Sequence, residues 1–166
     1  MKDMLKRNTI LSILFVILSI TYFSYTSPLV QKPNENNNFN VNLSSLSEVS
    51  NVGNRLTNES LIVVNLWASW CMPCIEEVDE LIKISENNKY YVIGLLVDDS
   101  MKNGQDFINE YGVSYENILN EDHVEYLLAK FNWTGIPTTL ILNLDYDIIQ
   151  TINGPVSFEM ISDIAK

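Results

Sequence analysis

The sequence predicts an α/β domain, a central mixed sheet flanked by helices, carried behind one N-terminal transmembrane helix. Three observations point there. A basic cluster followed by an uncharged apolar run opens the chain. From Leu61 onward, short apolar runs alternate with stretches of helical periodicity. The chain's 2 cysteines stand together where one such run meets the helical stretch after it.

Lys2, Lys6 and Arg7 precede a segment from Asn8 to Gln31 that carries no charge, with its apolar heart at Ile10 to Tyr25. Such a segment reads as a secretory signal or a short signal anchor. Tyr25-Thr26-Ser27-Pro28 is a poor small-x-small cleavage site and no cysteine stands there for lipidation, which favours an uncleaved anchor. A buried core helix is the alternative, disfavoured by its place at the extreme N-terminus behind basic residues. Those residues keep the N-terminus in the cytoplasm and put the rest outside. The expected organisation is a cytoplasmic N-terminus over 1–8, an anchor over 9–26, a flexible linker over 27–42 and a folded domain over 43–166. The asparagine-rich stretch Pro33 to Asn38 is too polar to pack and suits a tether. About 125 residues remain beyond the first ~40, enough for one core.

Val41 to Leu56 shows weak helical spacing at Leu43, Leu46 and Val49 and suits a cap on the domain rather than a strand. Leu61 to Trp67 reads as a buried strand, and Ile75, Val78, Leu81 and Ile82 mark a helix starting at the cysteines. Tyr90 to Val97 is a continuous apolar run fit for a central strand. Asp98-Asp99-Ser100 offers capping side chains for a helix ending near Gly112. Val124, Leu127, Leu128 and Phe131 fall at i, i+3, i+4 and i+7 of another. Leu140 to Leu142 and Ile148 to Ile152 form a hairpin whose turn, Asn143 to Asp147, lacks the usual glycine, and Phe158, Ile161 and Ile164 line a last helix.

Cys71-Met72-Pro73-Cys74 carries the chemistry. A cysteine at a helix N-terminus meets unsatisfied N–H groups and the positive dipole end, which lower a thiol from its usual value of about 8.5. Cys74, one turn on, is placed to attack a mixed disulfide formed at Cys71. Pro73 fits the first turn, where its missing N–H costs nothing. Two other readings exist. A structural disulfide over so short a loop stabilises little. A soft-metal site holding copper with the two thiols has no second CxxC, and the 1 histidine, His123, falls in another element among acidic neighbours, as a solvated side chain would. No resident metal or cofactor is expected. A net charge of −11 argues against nucleic acid as a partner.

The string Trp67-Ala68-Ser69-Trp70-Cys71-Met72-Pro73-Cys74, with Gly135-Ile136-Pro137-Thr138-Thr139-Leu140 later on, resembles the thioredoxin superfamily, and within it the membrane-anchored TlpA/ResA/DsbE-like thiol:disulfide oxidoreductases. The resemblance covers roughly Glu59 to the C-terminus. It implies a thioredoxin fold, a cis Pro137 packed against the CxxC, and an Ile136 backbone offered to a substrate strand. It implies a proton-transfer role for Glu77, which otherwise reads as one of the acidic run Glu76, Glu77, Asp79 and Glu80 on a solvated helix face. Trp67 and Trp70 read as packing elements, with Trp70 also able to touch a partner. Asn65 stands where cytosolic thioredoxins keep a buried acid, which shifts acid/base duty toward Glu77. Val78-Asp79 replaces the x-Pro that often follows the family's glutamate, so no proline kink is expected there. Thr138 replaces the glutamate of the stricter DsbE-like pattern. The implied duty is reduction of disulfides in exported proteins, apocytochrome c among them, outside a bacterial inner membrane, with electrons drawn from a membrane thiol donor. A disulfide-forming oxidant and a copper-holding thiol chaperone are the alternatives.

Overall fold

Apolar runs place four of the five strands, and pairing sets their order. The computed structural model describes residues 41–52 and 60–164, all within one unit, Phe39–Lys166. The anchor expected over 9–26 and most of the linker lie outside the described residues, among which no helix is long and apolar enough to cross a membrane. Five strands, β1 (Leu61–Trp67), β2 (Tyr90–Leu96), β3 (Glu116–Ile118), β4 (Thr138–Leu142) and β5 (Ile148–Asn153), form one sheet in the order β3-β2-β1-β4-β5. β1, β2 and β3 run parallel, which requires helical crossovers, while β4 and β5 are antiparallel neighbours joined by a hairpin. The helices are α1 (Leu46–Val49), α2 (Met72–Glu76), α3 (Val78–Ser85), α4 (Met101–Tyr111), α5 (Glu121–Leu128) and α6 (Phe158–Ile164).

The apolar runs are continuous because both sheet faces are covered. Ile62, Val64 and Leu66 join Ile93, Leu95, Leu140 and Leu142 beneath Leu43, Leu46, Val124 and Leu127 of the α1 and α5 layer. Val63, Val92 and Ile141 face the other way onto Leu81, Ile84 and Ile161 of α3 and α6. A third cluster at the C-terminal end of β1 gathers Trp67, Cys71, Cys74, Val78, Leu96 and Phe107.

Four details differ from the sequence reading. The helix after the cysteines is broken at Glu77 without a proline: this residue (φ −93°, ψ −6°) ends α2 and precedes α3. β3 went unexpected, because only its last residue is buried and its Glu116 and Asn117 hide any strand pattern. Phe131 lies past the end of α5 yet is buried against the same cluster. The Val41 carbonyl accepts from Ile148 N and Asn42 bridges Asp147, so the chain is tied down before the expected boundary at 43. The glycine-free hairpin turn is irregular, with Tyr146 at φ 64° and a register shift at Ile141/Leu142. α4 begins and ends as its sequence suggests: the Ser100 side chain accepts from Asn103 N, and Gly112 takes the left-handed conformation at φ 63°.

Candidate active site

The cysteine pair hangs from the sheet's central strand. β1 ends at Trp67, the chain turns through Ala68, Ser69 and Trp70, and Cys71 becomes the N-cap of α2 with Pro73 in the first turn. Cys71 and Cys74 are joined as a disulfide with their Cα atoms 5.2 Å apart, and the Cys74 N–H donates to Cys71 Sγ at 3.3 Å. Both cysteines are buried, whereas Trp70 (62% exposed) and Met72 (64%) stand out beside them as an apolar brim.

The turn before Cys71 is gripped from the loop after β2. The Asp99 carboxylate accepts from Ser69 N (2.9 Å) and Ser69 Oγ (2.5 Å) with one oxygen, and from Ser100 N (2.7 Å) and Asn103 Nδ2 (2.8 Å) with the other. Burial pushes this carboxyl up, but those hydrogen bonds together hold it below its ordinary value. Trp70 Nε1 donates to the Asp98 carbonyl at 3.3 Å. Sequence reasoning saw Asp99 only as a helix cap; the contact spans 30 residues and leaves no local signal.

One row of register partners crosses four strands of the sheet: Thr139 on β4, Asn65 on β1, Gly94 on β2 and Asn117 on β3. Gly94 is required by close approach, since a Cβ there would lie 1.9 Å from Asn117 Oδ1 and 2.6 Å from Trp67 Nε1. Above the row sits Glu77, only 2% exposed. Its Oε1 accepts from Asn65 Nδ2 at 2.9 Å and its Oε2 from Val156 N at 2.8 Å. Burial pushes the Glu77 carboxyl up to about 7, outweighing the lowering by the Val156 and Asn65 hydrogen bonds. Turning this side chain inward to reach Val156 accompanies the break between α2 and α3. The rest of the acidic run divides as the solvated-face reading expects, with Glu76 and Asp79 exposed, except that half-buried Glu80 accepts from Phe158 N at 2.6 Å. Tyr115, deeply placed on the β3 side, has its ionisation pushed up by burial and by the Glu77 charge.

Ile136–Pro137 is a cis peptide bond leading into β4, the direct neighbour of β1. Ile136 packs against the cluster holding both cysteines, so the structure brings the two sequence motifs together. Buried Thr138 donates to the Gly135 carbonyl at 2.7 Å. His123 is exposed on α5, and no group of three or more potential metal ligands occurs among the described residues.

Sheet order, a helix begun by the first cysteine, and a cis-proline before the antiparallel strand mark a thioredoxin-type protein of the thiol:disulfide oxidoreductase class. No family model matches the sequence. The chain is 28% identical over 155 residues to the thiol:disulfide interchange protein DsbE of Allochromatium vinosum, covering 90% of this chain and 80% of that one. It is 24% identical over 105 residues to the thiol-disulfide oxidoreductase ResA of Bacillus subtilis, covering 61% of this chain and 58% of ResA's length. Among solved structures it is similar to a secreted thiol-disulfide isomerase from Corynebacterium glutamicum, with TM-score 0.57, 27% identity, and coverage of 65% of this chain and 70% of that one. The chain is similar to thioredoxin-fold thiol:disulfide oxidoreductases of the TlpA/ResA/DsbE type.

Proposed function

We propose that this chain is a membrane-tethered thiol:disulfide oxidoreductase, acting outside the cytoplasm, that reduces disulfides in exported proteins, apocytochrome c among them. The observation that carries the reading is the Cys71–Cys74 pair at the start of α2 with a buried carboxyl, Glu77, at that helix's end. In the reduced chain the Cys71 thiolate attacks one sulfur of a substrate disulfide, forming a mixed disulfide and releasing the first substrate thiolate. Cys74 then gives its proton to Glu77 and attacks Cys71 Sγ. The second substrate thiolate leaves, two electrons have passed to the substrate, and the protein is left as the Cys71–Cys74 disulfide. A carboxyl poised at about 7 is matched to that proton transfer at neutral pH. The Ile136 backbone and Pro137 dock an extended substrate strand, with Trp70 at its side. A membrane dithiol protein restores the reduced pair, and residues 9–26 hold the domain at the bacterial inner membrane.

Cys71→Ser in the 166-residue chain is expected to abolish reduction of insulin disulfides, and retained activity overturns the assignment. The reduction equilibrium of the pair against glutathione reads the direction: a potential well below the compartment's poise supports the reductase, and a high one makes the protein an oxidant.

A further inference from the structure

Asn65 lies where three elements meet. It is 1% exposed on β1, and its Nδ2 donates both to Glu77 Oε1 (2.9 Å) and to Thr139 Oγ1 (3.1 Å), while its Oδ1 has no hydrogen-bond partner among the described residues. Thr139 is its register partner on β4, two residues past the cis Pro137. The other Glu77 oxygen is fixed by the Val156 N–H, so Oε1 is the oxygen with freedom to gain or lose a hydrogen.

A buried carboxyl that must hold a proton and then release it makes opposite demands on its neighbour. A group that only donates favours the carboxylate, and one that only accepts favours the acid. A primary amide carries both functions on one planar group and exchanges them by a half-turn about its last side-chain bond. In the orientation described, the NH2 faces Glu77 and suits the carboxylate. Turned over, Oδ1 faces the same two partners and accepts from a protonated Oε1 and from the Thr139 hydroxyl. Leucine, of similar size, offers neither function.

We propose that Asn65 is the positioning residue of the proton-carrying carboxyl, its side-chain amide turning over as Glu77 gains and loses its proton while Thr139 keeps it in reach. This rests on the reading of Glu77 as proton carrier. The titratable group coupled to Glu77 is Tyr115 from the β3 side; at helical spacing along the chain stand Cys74, on α2, and Glu80, on α3, whose carboxylate is turned to Phe158 N. β1, β4 and the loop before α6 contribute Asn65, Thr139 and the Val156 N–H, all uncharged.

The test is an NMR titration of the Glu77 carboxyl carbon and of the Asn65 side-chain NH2 in the 166-residue chain, alongside the pH profile of insulin reduction. In the wild type, the Asn65 NH2 signals are expected to move with the Glu77 midpoint; signals that stay fixed through the titration overturn the proposal. Asn65→Leu removes the donor to the carboxylate and the acceptor to the acid together; the bond to the charged form is the stronger of the two, so the proton affinity of Glu77 should rise about threefold, an upward shift of about half a pH unit. Thr139→Val should move it the same way by less, and it keeps the test alive should Asn65→Leu fail to fold. An unmoved or lowered Glu77 midpoint in these variants overturns the role of Asn65. Glu77→Gln separates the two ideas: a pH profile of reduction unchanged by that substitution removes Glu77 as proton carrier, whereas the carboxyl midpoint in Asn65→Leu still reports on Asn65 itself.

Discussion

Replacing Glu77 by glutamine isolates the free energy of keeping one carboxyl out of water. Burial lifts this group from 4.5 to about 7, against the pull of the Val156 and Asn65 hydrogen bonds. Between those values the folded chain holds a proton that the unfolded chain has released. The folded state binds more protons there, so stability falls as pH rises through the window and levels off above it. At about 1.4 kcal/mol per pH unit, the window costs about 3 kcal/mol. Glutamine is neutral throughout and carries no such slope, and any pH-independent change it makes cancels in the slope. The assay is urea denaturation of the disulfide-linked wild type and Glu77→Gln chains from about pH 4 to about pH 8, taking the difference in unfolding free energy at each pH. Other titrating groups are shared and drop out. The wild type should lose about 3 kcal/mol relative to the variant across that range, and a difference flat to within about 0.5 kcal/mol would refute the argument that desolvation governs Glu77.

Two further outcomes follow from the packing around the site. Gly94→Ala drives a methyl group to 1.9 Å from Asn117 Oδ1 and 2.6 Å from Trp67 Nε1, so it should destabilise the fold by about 1–3 kcal/mol in the same urea assay, with unchanged stability counting against the close approach. Asp99→Ala removes the acceptor that holds Ser69, Ser100 and Asn103 and should cost about 2 kcal/mol, with Asp99→Asn restoring part of the loss because one oxygen remains to accept from Ser69.

The elements with strong local chemistry were legible in the sequence. Leu61 to Trp67 could hardly be anything but a buried strand, α4 carries both its Ser100 cap and its Gly112 terminator, and the cysteines announce a dithiol. What stayed hidden depended on partners far along the chain. Glu77 was singled out by the family resemblance alone, its own run making it one acid among four, and only Val156, 79 residues away, and Asn65, 12 residues away, reveal that it points inward. The same contact accompanies the helix break, which comes without proline. β3 escaped because it is three residues long and half-buried at the sheet's edge, so its side chains obey no binary pattern. Asp99 was visible as a capping residue, but its hold on Ser69 is a tertiary fact.

The position of β1 in the sheet has a consequence for how the protein fluctuates. β1 is paired along its length with β2 and with β4, while β3 and β5 occupy the margins. Backbone opening begins where neighbours are fewest, so the margins fray first and β1 exchanges its amides last. The cysteines emerge from β1, and the cis-proline loop enters β4, its direct partner. The cysteine pair and the cis-proline loop therefore ride on the same pair of slow-opening strands. Breathing at the edges leaves their spacing intact, and that spacing is lost only when the domain unfolds as a whole.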